Sequence, residues 1–124
     1  MMVFDLPWPP SVNQYWRHYR GRVVVSRNGL EFRRAVCYLV RLTQQKNHSP
    51  LSSRVSVSID AYPPDRKRRD IDNVLKALLD ALRAAGVYED DEQVDYLLIR
   101  RLNVIKGGRI IVTVEEITNG TESM

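Results

Sequence analysis

Only one cysteine, Cys37, stands among the 124 residues, so no internal disulfide is available to hold the fold. Its spacing from His18 and His48 matches no zinc-binding pattern. Cys37 falls on the apolar stripe of a predicted helix, where a thiol serves as a small hydrophobe rather than a nucleophile. Long hydrophobic runs are also missing. Nothing approaches the roughly 20 apolar residues needed to span a bilayer, and the opening Met-Met-Val-Phe-Asp-Leu-Pro lacks the basic start and apolar stretch of a secretion signal. These absences argue against a secreted disulfide scaffold, a zinc module and a membrane protein, and make the cytoplasm the expected location. Internal repeats and low-complexity segments are likewise absent.

What is present is the composition of a packed domain, 44% hydrophobic and 27% charged. The length suffices for one core and is short for two, so a single domain is expected. A net charge of +4 permits a polyanionic partner without requiring one. The distribution of charge says more. Arg17, Arg20 and Arg22 are interleaved with Tyr15, Trp16 and Tyr19; Arg66, Lys67, Arg68 and Arg69 form an unbroken run; Arg100, Arg101, Lys106 and Arg109 gather near the carboxyl end. Against them stands one acidic run, Glu89, Asp90, Asp91, Glu92 and Asp95.

Val3 to Leu6 reads as a short strand stopped by Pro7, and Arg22 to Val25 as a second. Ser26 or Asn28 is placed to cap a helix from about Leu30 to Gln45, because Phe32, Ala35, Val36, Leu39 and Val40 recur at helical spacing. His48 to Ser53 reads as a loop. Val55, Val57, Ile59 and Ala61 alternate with polar residues, the period of a half-buried strand. Ile71, Val74, Leu75, Leu78, Leu79 and Leu82 trace a second amphipathic helix, with Gly86 as its left-handed cap. Two further strands, about Asp95 to Val104 and Arg109 to Glu116, are expected to form a hairpin through Lys106, Gly107 and Gly108, and a polar tail, expected to fray, follows from Thr118. The sum is an α+β (mixed α/β) domain: a mostly antiparallel or mixed sheet of about five strands with two helices.

The chemistry concentrates where the Val55 to Ala61 strand has just ended and the second helix begins, in Asp-Arg-Lys-Arg-Arg-Asp-Ile-Asp-Asn-Val-Leu-Lys, residues 65–76. On a regular helix Asp72 and Lys76 share a face, and Asp70 as a cap residue can turn its carboxylate back over the helix start. The positive end of the helix dipole favours anions there, whether carboxylate or phosphate. A third carboxylate is expected from the acidic loop, Asp91 with Asp90 beside it. Crowded carboxylates call for a hard cation with oxygen ligands, magnesium or manganese, which would activate water for attack on a phosphodiester while Lys76 neutralises charge on the phosphate. The same residues admit a plainer account: Asp70 as a cap, Asp72 and Lys76 as a surface ion pair, the acidic loop as a solvated turn.

Residues 63–108, with Arg-Asp-Ile-Asp-Asn, then Leu-Asp-Ala-Leu, then Ala-Gly-Val-Tyr-Glu-Asp-Asp-Glu-Gln-Val and Lys-Gly-Gly, closely resemble the RusA family of Holliday junction resolvases, and the opening Leu-Pro-Trp-Pro-Pro-Ser-Val-Asn extends the resemblance over nearly the whole chain. The resemblance implies a RusA-like domain over 1–117 and a tail over 118–124. It implies a homodimeric, magnesium-dependent endonuclease that nicks two strands of a four-way junction symmetrically, of a kind often carried by prophages. By position it makes Asp70, Asp72 and Asp91 the catalytic, metal-binding carboxylates, Asp90 a supporting acid, Lys76 the catalytic lysine and Arg69 a basic residue at the site. Glu89 departs from the family pattern as an extra acid, which points to altered metal or DNA affinity at most. Arg66 to Arg69 are expected to contact phosphates. For Arg17, Arg20 and Arg22 with their aromatic neighbours, DNA contact and packing over the sheet or across the dimer stand level. Two other functions fit the same residues, a non-catalytic junction-binding module and a metal nuclease for another branched substrate such as a flap.

Overall fold

The protein is described by a computed structural model covering residues 1–44 and 49–118. The expected helix end at Gln45, His48 and the tail from residue 119 lie outside the described residues.

Strand β4 (Val55–Tyr62) organises the fold. Its odd-numbered residues Val55, Val57, Ile59 and Ala61 are buried, and their polar alternates are half exposed. It lies between β6 (Arg109–Glu116), paired antiparallel, and β5 (Val94–Arg101), paired parallel. Strand β1 (Met2–Leu6) completes the sheet beyond β6, giving the order β1-β6-β4-β5. The sheet is therefore mixed, as the sequence indicates.

The expected hairpin between the last two strands is not formed, because β4 separates them. Local signals favoured a hairpin: the Lys-Gly-Gly turn is present, with Gly107 and Gly108 at positive φ. The backbone of the connection is instead spent across the end of β4. Leu102 N–H donates to the Ala61 carbonyl at 2.8 Å and Ile105 N–H to that of Pro63 at 3.0 Å.

Helices α2 (Arg27–Thr43) and α3 (Leu75–Ala84) share one apolar core with the buried side of the sheet. Ser26 is the N-cap of α2, accepting from Gly29 N–H at 3.0 Å, so the helix begins before the expected Leu30. At the end of α3, Val87 N–H reaches back to Leu82 and Gly86 N–H to Arg83, with Gly86 at φ 80°, a Schellman ending that requires the left-handed conformation. Parallel pairing of β4 and β5 needs a crossover of at least a dozen residues, and α3 supplies it.

The sequence reading missed two small elements. One is the helical turn α1 (Val12–Tyr15); the other is β2 (Trp16–Tyr19), which pairs with β3 (Arg22–Val25) as a separate hairpin. Arg20 and Gly21 at φ 49° and 74° make the tight turn, in which both central residues take positive φ. Strand β2 escaped detection because Arg17, His18 and Tyr19 are all exposed and carry no apolar alternation. Among the described residues the total is six strands in two sheets.

Candidate active site

After β4, buried Pro63 ends the strand and residues 64–70 form a basic loop that is pinned rather than loose. Asp65 accepts from Lys67 N–H at 2.9 Å and pairs with Arg69 at 2.7 Å, and these contacts, the Arg69 bond first, hold its carboxyl below the usual range. The Arg69 guanidinium stands 5.8 Å from the centre of the Trp8 ring, and Arg101 donates to the Arg69 carbonyl at 2.6 Å. Arg66, Lys67 and Arg68 remain exposed.

Asp70 takes the cap position with extended backbone, and its carbonyl accepts from Asn73 N–H at 3.1 Å. Its side chain makes no cap bond. The cap role is thus filled by the backbone, and the carboxylate lines a recess with Trp8, Arg69, Ile71, Arg101 and Val104. Asp72 lies in a 3-10 turn, Ile71–Val74, that feeds α3, not in a regular α-helix. With three residues per turn, Asp72 is rotated relative to the simple four-residue face-sharing with Lys76 that the sequence suggested. Asn73 Oδ1 accepts from Val12 N–H at 3.3 Å and ties this turn to α1.

Lys76 is exposed at the start of α3 and lines a second recess with Trp16, Arg17, His18 and Val23 of the β2–β3 hairpin. The fold therefore brings the candidate lysine and the aromatic-arginine cluster to one place. On that hairpin Arg17 and Arg20 lie over the Tyr19 ring, at 5.1 and 5.3 Å from its centre.

The acidic run resolves into separate roles. Glu92 and Asp95 grip Arg54, at 2.8 and 2.6 Å. Asp90 opens a 3-10 turn, Asp91–Gln93, with a reciprocal capping box: its side chain accepts from the turn's backbone, and Gln93 Oε1 accepts from Asp90 N–H at 2.8 Å. Buried Gln93 also donates to the Leu51 and Ser53 carbonyls, at 2.9 and 2.7 Å, fastening the loop to the segment ahead of β4. Sequence reasoning passed over Gln93, although Asp-Asp-Glu-Gln is legible as a capping box. The role left to Asp91 is different. Partial burial, then the hydrogen bond and charge of Asp90, raise its carboxyl pKa, while Arg83 and Lys76 pull it the other way. Asp90 is lowered, chiefly by Glu92 N–H and then by Asp91. Asp91 thus stands within electrostatic reach of Lys76, on the flank of the helix that begins after Asp72.

Behind this flank lies a buried polar network that the sequence did not announce. Asp80, 7% exposed, accepts from Tyr15 Oη, from Arg33 Nε at 2.8 Å and from Arg83 at 2.8 Å. Burial opposes the charge, but the donors from Tyr15, Arg83 and Arg33 overcome it and keep the carboxyl below its ordinary value. Burial first, and the bond to Asp80 next, push the Tyr15 phenol up to about 12. The network locks α1, α2 and α3 together behind the hairpin.

Among the described residues no group of three acids, histidines or cysteines is gathered closely enough within one chain to hold a metal ion. Asp90 and Asp91 are brought together; Asp70 and Asp72 are placed at the start of the same helix unit. No described helix is long and apolar enough to cross a membrane.

Comparisons with known proteins identify the family. The pattern of the family described as endodeoxyribonuclease RusA matches residues 7–115. The chain is 44% identical over 115 residues to the crossover junction endodeoxyribonuclease RusA of Escherichia coli strain K12, covering 92% of this chain and 93% of the relative. It is 43% identical to the protein of that name from Enterobacteria phage 82, over the same shares, and 40% identical over 114 residues to that of Enterobacteria phage HK97. With the family pattern running from Pro7 into the last strand at Glu115, the chain belongs to the RusA family of endodeoxyribonucleases.

Proposed function

We propose that the chain is a divalent-metal-dependent endodeoxyribonuclease that resolves four-way DNA junctions by symmetric nicking of two strands, acting as a homodimer. The observation that carries this reading is Asp91, a half-buried carboxyl hydrogen-bonded with Asp90, in the loop that follows the helix at whose start Asp70 and Asp72 stand.

The donor set fits a hard cation. Asp70, Asp72 and Asp91 offer only carboxylate oxygens, with Asp90 in support, and magnesium is the natural occupant, manganese a substitute. The crowding at Asp90 and Asp91 is the kind of charge concentration that a divalent ion relieves. When bound, the ion would polarise the scissile phosphate and lower the pKa of the attacking water. Because one chain does not gather the acids of residues 70–72 with those of 90–91, the reading requires that cation binding draw them together or that a second copy complete the set.

The chain's own residues do the rest. Lys76, exposed and beside the hairpin, neutralises charge on the phosphate as it is cut. Arg66, Lys67 and Arg68 meet backbone phosphates, while Arg69, held by Asp65 and Trp8, is oriented toward the Asp70 recess. Arg17, Arg20 and Arg22 with Tyr19 present a mixed cationic and aromatic surface suited to strands splayed from a junction. Two sites related by a two-fold axis suit cuts in opposed strands.

The test uses purified protein with synthetic four-way junctions, flaps and linear duplex, in magnesium, in manganese and in chelator. Paired nicks near the junction centre that need the cation are expected. Asp72→Asn should bind junctions as well as the parent while losing cleavage, since it removes a ligand but leaves the basic surface intact. Tight binding without cleavage under any metal would identify a binding module instead, and cleavage confined to flaps would reassign the substrate.

A further inference from the structure

The loop that carries Asp90 and Asp91 places five acids within seven residues, Glu89, Asp90, Asp91, Glu92 and Asp95. Like charges so close repel, and a short loop left to itself would spread to relieve them. Here it is held on both sides. On the entry side Val87 and Tyr88 are buried, Leu51 N–H donates to the Val87 carbonyl at 3.0 Å, and Glu89 N–H donates to the Leu51 carbonyl at 3.2 Å. On the exit side Arg54 donates to the Glu92 carboxylate at 2.8 Å, to the Glu92 carbonyl at 2.6 Å and to Asp95 at 2.6 Å. Both grips come from one segment, residues 51–54 ahead of β4, which lies along the loop as a strap. Asp90 and Asp91 stand between the grips.

Gln93 fastens the middle. It is buried although its neighbours in the chain are acids, and its amide is fully used. Oε1 accepts from Asp90 N–H at 2.8 Å, while Nε2 donates to the Leu51 carbonyl at 2.9 Å and to the Ser53 carbonyl at 2.7 Å. Two donors and an acceptor on one side chain are what an amide supplies; a glutamate could not donate, and a lysine could not accept. Asp90, held at its N–H by Gln93, accepts in turn from Glu92 N–H at 3.0 Å, and its carboxyl is hydrogen-bonded with that of Asp91. The contacts therefore run from the strap through Gln93 to Asp90, and from Asp90 to Asp91.

We infer that Gln93 is a positioning residue for the cation: by binding the acid loop to residues 51–53, it holds the Asp90 and Asp91 carboxyls side by side before a cation arrives. The repulsion between them is then overcome as the loop folds, and it does not weaken the binding of the ion. Partners that orient a metal's ligands without touching the metal are typically worth about ten- to a hundredfold in its affinity. The inference rests on the nuclease reading, in which Asp91 is a ligand, and adds a residue that acts only through the loop.

The experiment uses the full chain and two readouts: manganese binding without DNA, followed by electron paramagnetic resonance of the free ion, and the magnesium concentration that half-saturates junction cleavage. Gln93→Met keeps the side chain's length and removes all three hydrogen bonds. It should raise the manganese dissociation constant and the half-saturating magnesium by roughly tenfold or more, with cleavage at saturating magnesium close to that of the parent. Arg54→Met releases the exit side from a more exposed position. Loss of its positive charge would by itself tighten cation binding, so weaker binding reports the placement of the acids and decides the matter if Gln93→Met does not fold. Gly29→Ala, whose added carbon meets Val25 and Tyr15 rather than the acid loop, should leave both readouts at the parent's values. The inference is overturned, with the nuclease reading intact, by unchanged cation affinity in a folded Gln93→Met, by unchanged or tighter affinity in Arg54→Met where Gln93→Met does not fold, or by an equal shift in Gly29→Ala. A parent that binds no manganese and cuts junctions in chelator would overturn the nuclease reading and the inference with it.

Discussion

Replacing Asp80 with asparagine takes one negative charge out of a site where three side chains converge. The carboxylate accepts from Tyr15, from Arg33 at 2.7 and 2.8 Å and from Arg83 at 2.8 Å. Removing one member of a buried ion pair costs about 3–5 kcal/mol, because the other charge stays behind without its partner. Two features place this site at the lower end. The Arg83 side chain is 42% exposed and can turn to water, and the asparagine oxygen still accepts a bond. Arg33, at 26%, is less able to escape. The expected loss is about 3 kcal/mol at pH 7, a large share of the roughly 5–15 kcal/mol that holds a domain folded.

In urea, with a slope near 1.5 kcal/mol/M, that loss moves the unfolding midpoint down by about 2 M. The folded-state pKa of Asp80 is depressed, so its contribution is complete above the unfolded value of about 3.9 and fades as pH falls through the lower folded value. The gap between parent and Asp80→Asn should therefore be full at pH 7 and shrink below about pH 4. A loss under about 1 kcal/mol at pH 7, or a gap equally wide at pH 7 and pH 3, would refute the assignment of a buried, charged Asp80.

The turn after β5 offers a paired comparison: Gly107→Ala and Gly108→Ala both incur the positive-φ cost of about 1 kcal/mol, but only at residue 108 does the added carbon fall 2.6 Å from Trp8 Cβ, so thermal unfolding should drop more for Gly108→Ala. In α2, Gly29→Ala should destabilise although alanine is the better helix former, because the new carbon would lie 2.6 Å from Val25 and 2.7 Å from the Tyr15 carbonyl; equal or higher stability would show that the contact between α1, β3 and α2 is looser than described. Arg68→Ala should weaken DNA binding about equally for junctions and duplex and reduce the salt-dependence slope by about 1, as loss of one phosphate contact requires; a purely junction-specific loss would place it elsewhere. Chelation should stop cleavage with no change in the far-UV spectrum, since none of Asp70, Asp72, Asp90 and Asp91 belongs to the apolar core.

Much of this molecule is legible in its sequence. Strand β4 and helix α3 announce themselves because their neighbours bury one repeating face, and burial writes a period of two or of 3.6 into the sequence. Gly86 was legible for a similar reason, as few residues tolerate the left-handed ending. The position of Asp70 at a helix start was also plain, and the run of acids before β5 marked itself by opposing the charge of the rest of the chain.

Other features belong to the tertiary structure alone. The choice between a β5–β6 hairpin and a parallel β4–β5 pair is made by which strand occupies the middle of the sheet, and local turn chemistry does not encode it. Asp80 meets Tyr15 and Arg33 across 65 and 47 residues of chain, so its charge reads as a surface residue until the helices are packed. The division of labour within the acidic run, with Glu92 and Asp95 given to Arg54, Asp90 to a cap and Asp91 left half-buried beside Asp90, depends on where α3 returns the chain. Periodicity and turn residues record the environment of each residue's near neighbours. Partnerships across the chain are decided by the free energy of the packed whole, and no short stretch of sequence carries that information.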